Sequence, residues 1–227
     1  DQRGLFLAAA TRLGTTVQNI EKDFWVCWTL NALFGRLQEG GPRLLFKGGT
    51  SLSKGYGLIS RFSEDIDVTV FREDIGEAAS VDDLEPLSRR KRNERLEAIK
   101  AACQSYINDE LRPELAGIAT QTMQAAGKSP ASLKVVPDET DQDRQSLLIR
   151  YPSAVEKADY IVPSIKIESG AKSALDPHED RTITPYLSAD IPGGDTLAVN
   201  GVMTIDPERT FLAVCRKTRK HVNCFHF

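Results

Sequence analysis

The chain has 227 residues, 41% of them hydrophobic, enough for one sizeable core or for two small lobes sharing a cleft. A formal charge of −3 and a pI near 5.7 give no global argument for nucleic-acid binding, which would need a local basic patch. No apolar run approaches the roughly 18 residues of a bilayer span, no signal peptide is expected, and Cys27, Cys103, Cys215 and Cys224 form no C-x-x-C pair. Reduced thiols in a cytoplasmic protein are therefore expected.

Residues 1–42 read as an N-terminal helical segment. Val17, Ile20, Phe24, Cys27, Trp28, Leu30, Leu33 and Leu37 recur near helical spacing, which predicts a helix over 16–37. Gly40, Gly41 and Pro42 end it. Trp25 and Trp28 fit core packing better than base stacking. Leu44–Phe46 is too short for a helix and reads as a buried strand. Gly48-Gly49 is a turn, followed by a short helix from Thr50 to Tyr56 with Thr50 or Ser51 as its cap. Ile66 to Phe71 is strand-like.

An acidic stretch from Glu73 to Glu85 reads as a loop or short helix. A long helix is predicted from Ser88 to Arg112, closed by Pro113, with a second helical piece to Ala126. Strands are predicted at 133–136, 146–151 and 161–169, and 182–187 and 196–203 read as shorter strands or loop segments. Helix, strand, turn, helix, strand, a helical insertion and further strands make an α+β pattern around one sheet.

The stretch from Lys47 to Val70 carries the chemistry. Glycines at 48 and 49 let the backbone turn sharply and approach a phosphate. Thr50 and Ser51 place hydroxyls and free amides at a helix start, where anions bind. Asp65 and Asp67 stand two apart on a strand, so both carboxylates share a face. Two like charges that close call for a cation between them. Asp-x-Asp alone is common, and so is a Gly-Gly-Thr-Ser helix entry; the ordered combination is far more specific. A Walker A loop is excluded, because Lys54 lacks the Gly before it and the Ser or Thr after it.

Lys47-Gly-Gly-Thr-Ser-Leu-Ser-Lys54 followed by Arg61-Phe-Ser-Glu-Asp-Ile-Asp67 resembles the core motif of the abortive-infection nucleotidyltransferase toxins of AbiEii/AbiGii type. Glu21-Lys-Asp-Phe-Trp25 resembles that family's N-terminal helix, and Ile165-Lys-Ile-Glu168 a later strand. The resemblance implies a polymerase-β-like nucleotidyltransferase core: a mixed sheet flanked by helices over 43–211, with a helical insertion near 88–126. It implies Asp65 and Asp67 as metal-binding carboxylates, and Gly48, Gly49, Thr50 and Ser51, next to Lys47, as the phosphate cradle. Ser63 matches a serine beside the acids that accepts phosphate or nucleotide in some members.

A two-metal site wants a third acid from a neighbouring strand. In 161–169 the residues Ile161, Pro163, Ile165 and Ile167 alternate with Val162, Ser164, Lys166 and Glu168, so Lys166 and Glu168 share the polar face. On residues alone this is also the pattern of a solvent-facing strand. Placed in the family's motif, Glu168 becomes the third acid and Lys166 a phosphate contact.

Arg89-Arg-Lys-Arg92, Arg95 and Lys100 open the long helix either as a solvated face or as an RNA contact. His178 resembles a family loop element. After Asp206-Pro-Glu-Arg-Thr-Phe211 the chain departs from the pattern: Lys217 is out of register, and Cys215, His221, Cys224 and His226 match no standard zinc spacing. Residues 212–227 are thus expected to be an atypical, truncated or frame-shifted tail. The expected reaction is transfer of a nucleoside monophosphate from an NTP, with Mg²⁺ or Mn²⁺, to tRNA or a protein hydroxyl, by a toxin paired with an antitoxin. The rivals are a non-catalytic nucleotide- or RNA-binding relative and a kinase-like phosphotransferase.

Overall fold

Two helices open the chain in the computed structural model, which describes residues 2–59, 65–79, 81–84, 86–155, 163–172 and 175–211. Helix α1 (Gln2–Leu13) buries Phe6, Ala9 and Ala10 against Ile20 and Leu187. Helix α2 (Val17–Gly35) follows the predicted period. Its cap is Thr16, whose hydroxyl accepts from the Asn19 N–H at 3.2 Å, one of the amides that a helix start leaves unpaired. Trp25, Val26, Leu30 and Leu33 enter the main core. Trp25 stacks on Tyr151 with ring centroids 5.1 Å apart, so it is a packing residue.

Strand β1 (Leu44–Lys47) runs directly into a helical turn, α3 (Gly48–Thr50), which widens into a π-helical stretch, Ser51–Gly55. Strand β2 (Ile66–Val70) follows. The stretch read as loop or short helix holds a 3₁₀ turn at Arg72–Ile75 and the short helix α4 (Val81–Leu84). The insertion comprises α5 (Arg89–Ser105) and α6 (Arg112–Ala125), joined through a π-helical stretch, Tyr106–Leu111. Pro113 was expected to close the first helix, and it does not. The Arg112 N–H reaches back five residues to the Ile107 carbonyl. That wider turn lets Pro113 sit in the first turn of α6, where its missing N–H leaves nothing unpaired.

Strands β3 (Lys134–Pro137), β4 (Ser146–Arg150), β5 (Ser164–Gly170), β6 (His178–Ile183) and β7 (Val199–Ile205) complete a seven-stranded sheet of order β3-β4-β5-β2-β1-β7-β6. The β1–β7 and β2–β5 pairs are parallel and the other neighbours antiparallel, so the sheet is mixed and the fold α+β. The segment 182–187, read as a short strand or a loop, holds only the end of a strand that begins earlier, at His178–Ile183. Glu179, Asp180 and Arg181 hide it in the sequence, as charges often do on an edge strand.

Ile66, Val68, Leu147, Ile149, Ile165 and Ile167 are fully buried in the core that α2 and the insertion share. Each contributes about 1.5–3 kcal/mol on burial. This apolar face fixes the register of β2 and β5, and the polar residues between follow from it.

Candidate active site

Register builds the site. Lys47 on β1 stands opposite Asp67 on β2, Asp67 stands beside Glu168 on β5, and Glu168 stands opposite Ser146 on β4. Residues in register on adjacent strands share a face, so Lys47, Asp67 and Glu168 form one row across three strands. Carboxylates at the strand spacing of about 4.8 Å repel by roughly 3 kcal/mol at an effective dielectric near 20, before solvent screening. Lys47 within the row and Lys166 beside Glu168 offset part of that repulsion. Asp65 was expected on the strand; β2 begins one residue later, and Asp65 stands exposed just ahead of it.

The glycine turn serves these acids more directly than its sequence implies. Gly48 has φ +78°, and a Cβ there would collide with the Asp67 carboxylate, Oδ2 first. Gly48 is thus both the only residue type at ease in that conformation and the gap that admits Asp67. The helix starts at Gly48, with Lys47 in the cap position and no side-chain cap. Thr50 and Ser51 were expected to cap it and to turn their hydroxyls outward. Both are buried instead: the Thr50 hydroxyl donates to the Asp65 carbonyl and that of Ser51 to the Gly48 carbonyl at 2.8 Å. Thr50 therefore clasps the backbone of the first acid, and neither hydroxyl is turned outward.

Around the row stand two lysines. Lys166 Nζ is 2.9 Å from Glu168 Oε1 and 3.2 Å from Asp138 Oδ2. Lys22 on α2 is half-buried; burial draws its pKa below the ordinary lysine value, opposed by the charge of Asp65. A polar cavity of about 320 Å³ opens beside Lys166 and Glu168, closed by the turn between β3 and β4, including Asp141, Gln142 and Gln145.

Behind the glycine turn lies a buried ion pair. Lys54 Nζ is 2.6 Å from Asp23 Oδ1, donates to the Thr184 carbonyl at 2.8 Å, and lies 3.8 Å from the centre of the Tyr186 ring. Asp23 Oδ2 accepts from the Tyr186 N–H at 2.6 Å. Burial pushes the Asp23 carboxyl above its ordinary range, with Lys54 and the Tyr186 N–H pulling it back. Next to it, Glu21 accepts from the Ser153 hydroxyl at 2.6 Å and from the Ala154 N–H. One turn of α2 thus holds the glycine-turn helix, the 184–186 segment and the 153–154 segment together.

Asp138, Lys22, Asp23 and Lys54 had no role in the sequence reading. The Glu21-Lys-Asp stretch was a signal, because three charges inside an apolar helical period must be paired or functional. Asp138 carried only the pattern of a turn. Ser63 lies outside the described residues, as do Ile161, Val162 and the tail 212–227 with its Cys and His residues. The basic start of α5 is largely engaged within the chain: Arg90 with Glu94, Arg92 with the Leu84 carbonyl, Arg95 with Glu77 and Lys100 with Asp143. His178 sits on the edge strand β6, beyond β7, with Nδ1 2.8 Å from the Leu175 oxygen; it does not join the acid row.

Among the described residues no three His, Cys, Asp or Glu side chains converge as a ready-made metal cage, since Glu168 is turned to Lys166. Donor chemistry and register nevertheless fit a hard divalent cation. Asp65, Asp67 and Glu168 offer only carboxylate oxygens, the donors that Mg²⁺ or Mn²⁺ takes.

The family model described as nucleotidyl transferase AbiEii toxin, type IV toxin–antitoxin system, matches residues 31–213. The chain belongs to the AbiEii family. The match takes in the glycine turn, both aspartates, Asp138 and the Lys166–Glu168 strand, and the α+β architecture is the one that the sequence motifs of this AbiEii chain predicted. A solved structure that aligns with it is MenT4, a nucleotidyltransferase toxin from Mycobacterium tuberculosis, at 18% identity and a TM-score of 0.48. That alignment covers 96% of this chain and 59% of MenT4, so the AbiEii chain spans less than two thirds of that structure's length. No curated protein matches it. Among the described residues no helix is long and apolar enough to cross a membrane.

Proposed function

We propose that this AbiEii-family chain is a metal-dependent nucleotidyltransferase that moves a nucleoside monophosphate from an NTP to a hydroxyl acceptor. The observation that carries the reading is the row Lys47–Asp67–Glu168, with Gly48 shaped to admit the Asp67 carboxylate. Asp65 and Asp67 would hold Mg²⁺ or Mn²⁺, with Glu168 as the third acid. The metal supplies charge neutralisation for the triphosphate. The amides at Gly48 and Gly49 and the ammonium groups of Lys47 and Lys166 are placed to meet phosphate oxygens. Glu168 is the group best placed to orient the acceptor hydroxyl and take its proton. The acceptor oxygen forms a bond to the α-phosphorus, the α–β phosphoanhydride bond breaks, and pyrophosphate leaves.

The acceptor is tRNA or a protein hydroxyl, Ser63 being a candidate for the latter. The setting is a cytoplasmic toxin with a cognate antitoxin. The test incubates the protein with each of the four NTPs, Mg²⁺ and total tRNA, and follows label transfer and pyrophosphate. We expect one NTP to dominate, and Asp65→Ala with Asp67→Ala to reduce transfer to background. Equal signal from wild type and the double variant would sink the enzyme reading; release of a nucleoside diphosphate in place of pyrophosphate would make it a phosphotransferase.

A further inference from the structure

The turn between β3 and β4 is built more firmly than a surface hairpin requires. Asp138 accepts from the Thr140 N–H at 2.9 Å and from its hydroxyl at 2.6 Å, both on Oδ1. Its own N–H donates to the Ser146 carbonyl at 3.0 Å. One carboxylate oxygen is thus spent on the turn, and the other, Oδ2, faces Lys166 Nζ at 3.2 Å. The Asp138 side chain is 7% exposed, against 30% for Lys166 and 45% for Glu168. The most buried member of the triad is therefore Asp138, and the most exposed is Glu168.

The insertion buttresses this turn. Lys100 on α5 pairs with Asp143 at 2.5 Å, and Asn108, in the π-helical stretch, donates to the Arg144 carbonyl at 3.0 Å. Arg144 takes φ +51°, a left-handed conformation that a non-glycine residue adopts only when its surroundings impose it.

We infer that Asp138 is a positioning residue that aims the Lys166 ammonium into the nucleotide cleft. A lysine has four rotatable bonds and a strongly hydrated head group, and loses about 2 kcal/mol of rotamer entropy when fixed. Held by Glu168 alone, Lys166 would follow Glu168 or return to water whenever that carboxylate engages another cation or an acceptor hydroxyl. Asp138 gives it a second, buried anchor, hydrogen-bonded to Thr140 on a turn that the insertion supports. The inference rests on the proposed nucleotidyl-transfer reading, in which Lys166 meets phosphate.

Asp138→Asn isolates the role. An Asn oxygen still accepts from Thr140, so the turn survives, while the amide meets Lys166 with N–H groups and no charge. With the NTP that the wild type uses, we expect KM to rise about tenfold or more, the loss of roughly 1.4 kcal/mol of nucleotide binding, while kcat changes less and the melting temperature falls only slightly. In a Lys166→Met background the same substitution should change nothing further. Asp138→Asn kinetics equal to wild type, or an equal loss in both backgrounds, would overturn the inference. Crystal structures of wild type and Asp138→Asn decide it without turnover: Lys166 should leave its place beside residue 138 in the variant, following Glu168 or turning to solvent, and an unmoved Lys166 refutes positioning. A wild type that transfers no nucleotide would refute the enzyme reading separately, with the crystallographic result still deciding the placement of Lys166.

Discussion

Two of the lysine–aspartate pairs among the described residues, Asp23–Lys54 and Asp138–Lys166, are built for different ends. In Asp23–Lys54 the side chains are 1% and 5% exposed, and every polar atom of the pair has a fixed backbone or side-chain partner. In Asp138–Lys166 the aspartate is buried, but the lysine is partly open and shares a more exposed glutamate. A fully desolvated pair gains its stability only while both members are present, because a lone buried charge is costly. A half-open pair contributes little to folding and keeps its lysine available to a ligand. The first joins three segments behind the site, and the second sets the charge inside it.

Single substitutions in the buried pair should give the largest stability effect. Asp23→Ala or Lys54→Ala leaves a buried charge unpaired and should cost about 3–5 kcal/mol, read as a shift in the urea unfolding midpoint. Replacing both together, Asp23→Leu with Lys54→Met, should recover most of that loss. If either single variant is as stable as wild type, the contrast between the pairs disappears.

Gly48→Ala should cost about 1–3 kcal/mol through its left-handed backbone, with a far larger loss of nucleotidyl transfer because the new methyl displaces the Asp67 carboxylate. Transfer at wild-type level from this variant would show that Asp67 does not need its present position.

The smallest effect is expected at Asp138 and is visible through pH. The Thr140 hydroxyl and N–H, with Lys166, hold the Asp138 carboxyl below its ordinary range. The folded state therefore favours the ionised form. The resulting stability is present above the unfolded value of about 3.9 and is lost as the pH falls through the lower folded value. Urea midpoints of wild type and Asp138→Asn should differ by a constant small amount from about pH 5 to 7 and converge below about pH 4. A gap that widens on acidification would reverse the assigned cause.

Part of the geometry around the glycine turn was legible before any coordinates. The alternation that puts Lys166 with Glu168 follows from the two-residue repeat of a strand, and Gly48 from the rarity of positive φ; the same repeat was extended one residue too far when it placed Asp65 on β2. The misreadings share a cause. Thr50 and Ser51 have the composition of a helix cap, yet their hydroxyls serve backbone carbonyls that come close only when β1 and β2 pair. Pro113 has the look of a helix stop, yet a π-turn absorbs it.

The sequence by itself determined the local elements, the apolar face of each strand and the acids that face away from the core, because burial and backbone preference act over a few residues. Only the tertiary structure decided which of those residues meet. Asp67 reaches Glu168 across about a hundred residues because β2 and β5 pair in parallel. Asp23 finds Lys54, and Asp138 finds Lys166, through packing that no local pattern encodes. The Lys47–Val70 stretch supplies the glycine turn and two of the acids, and the sheet order brings the third.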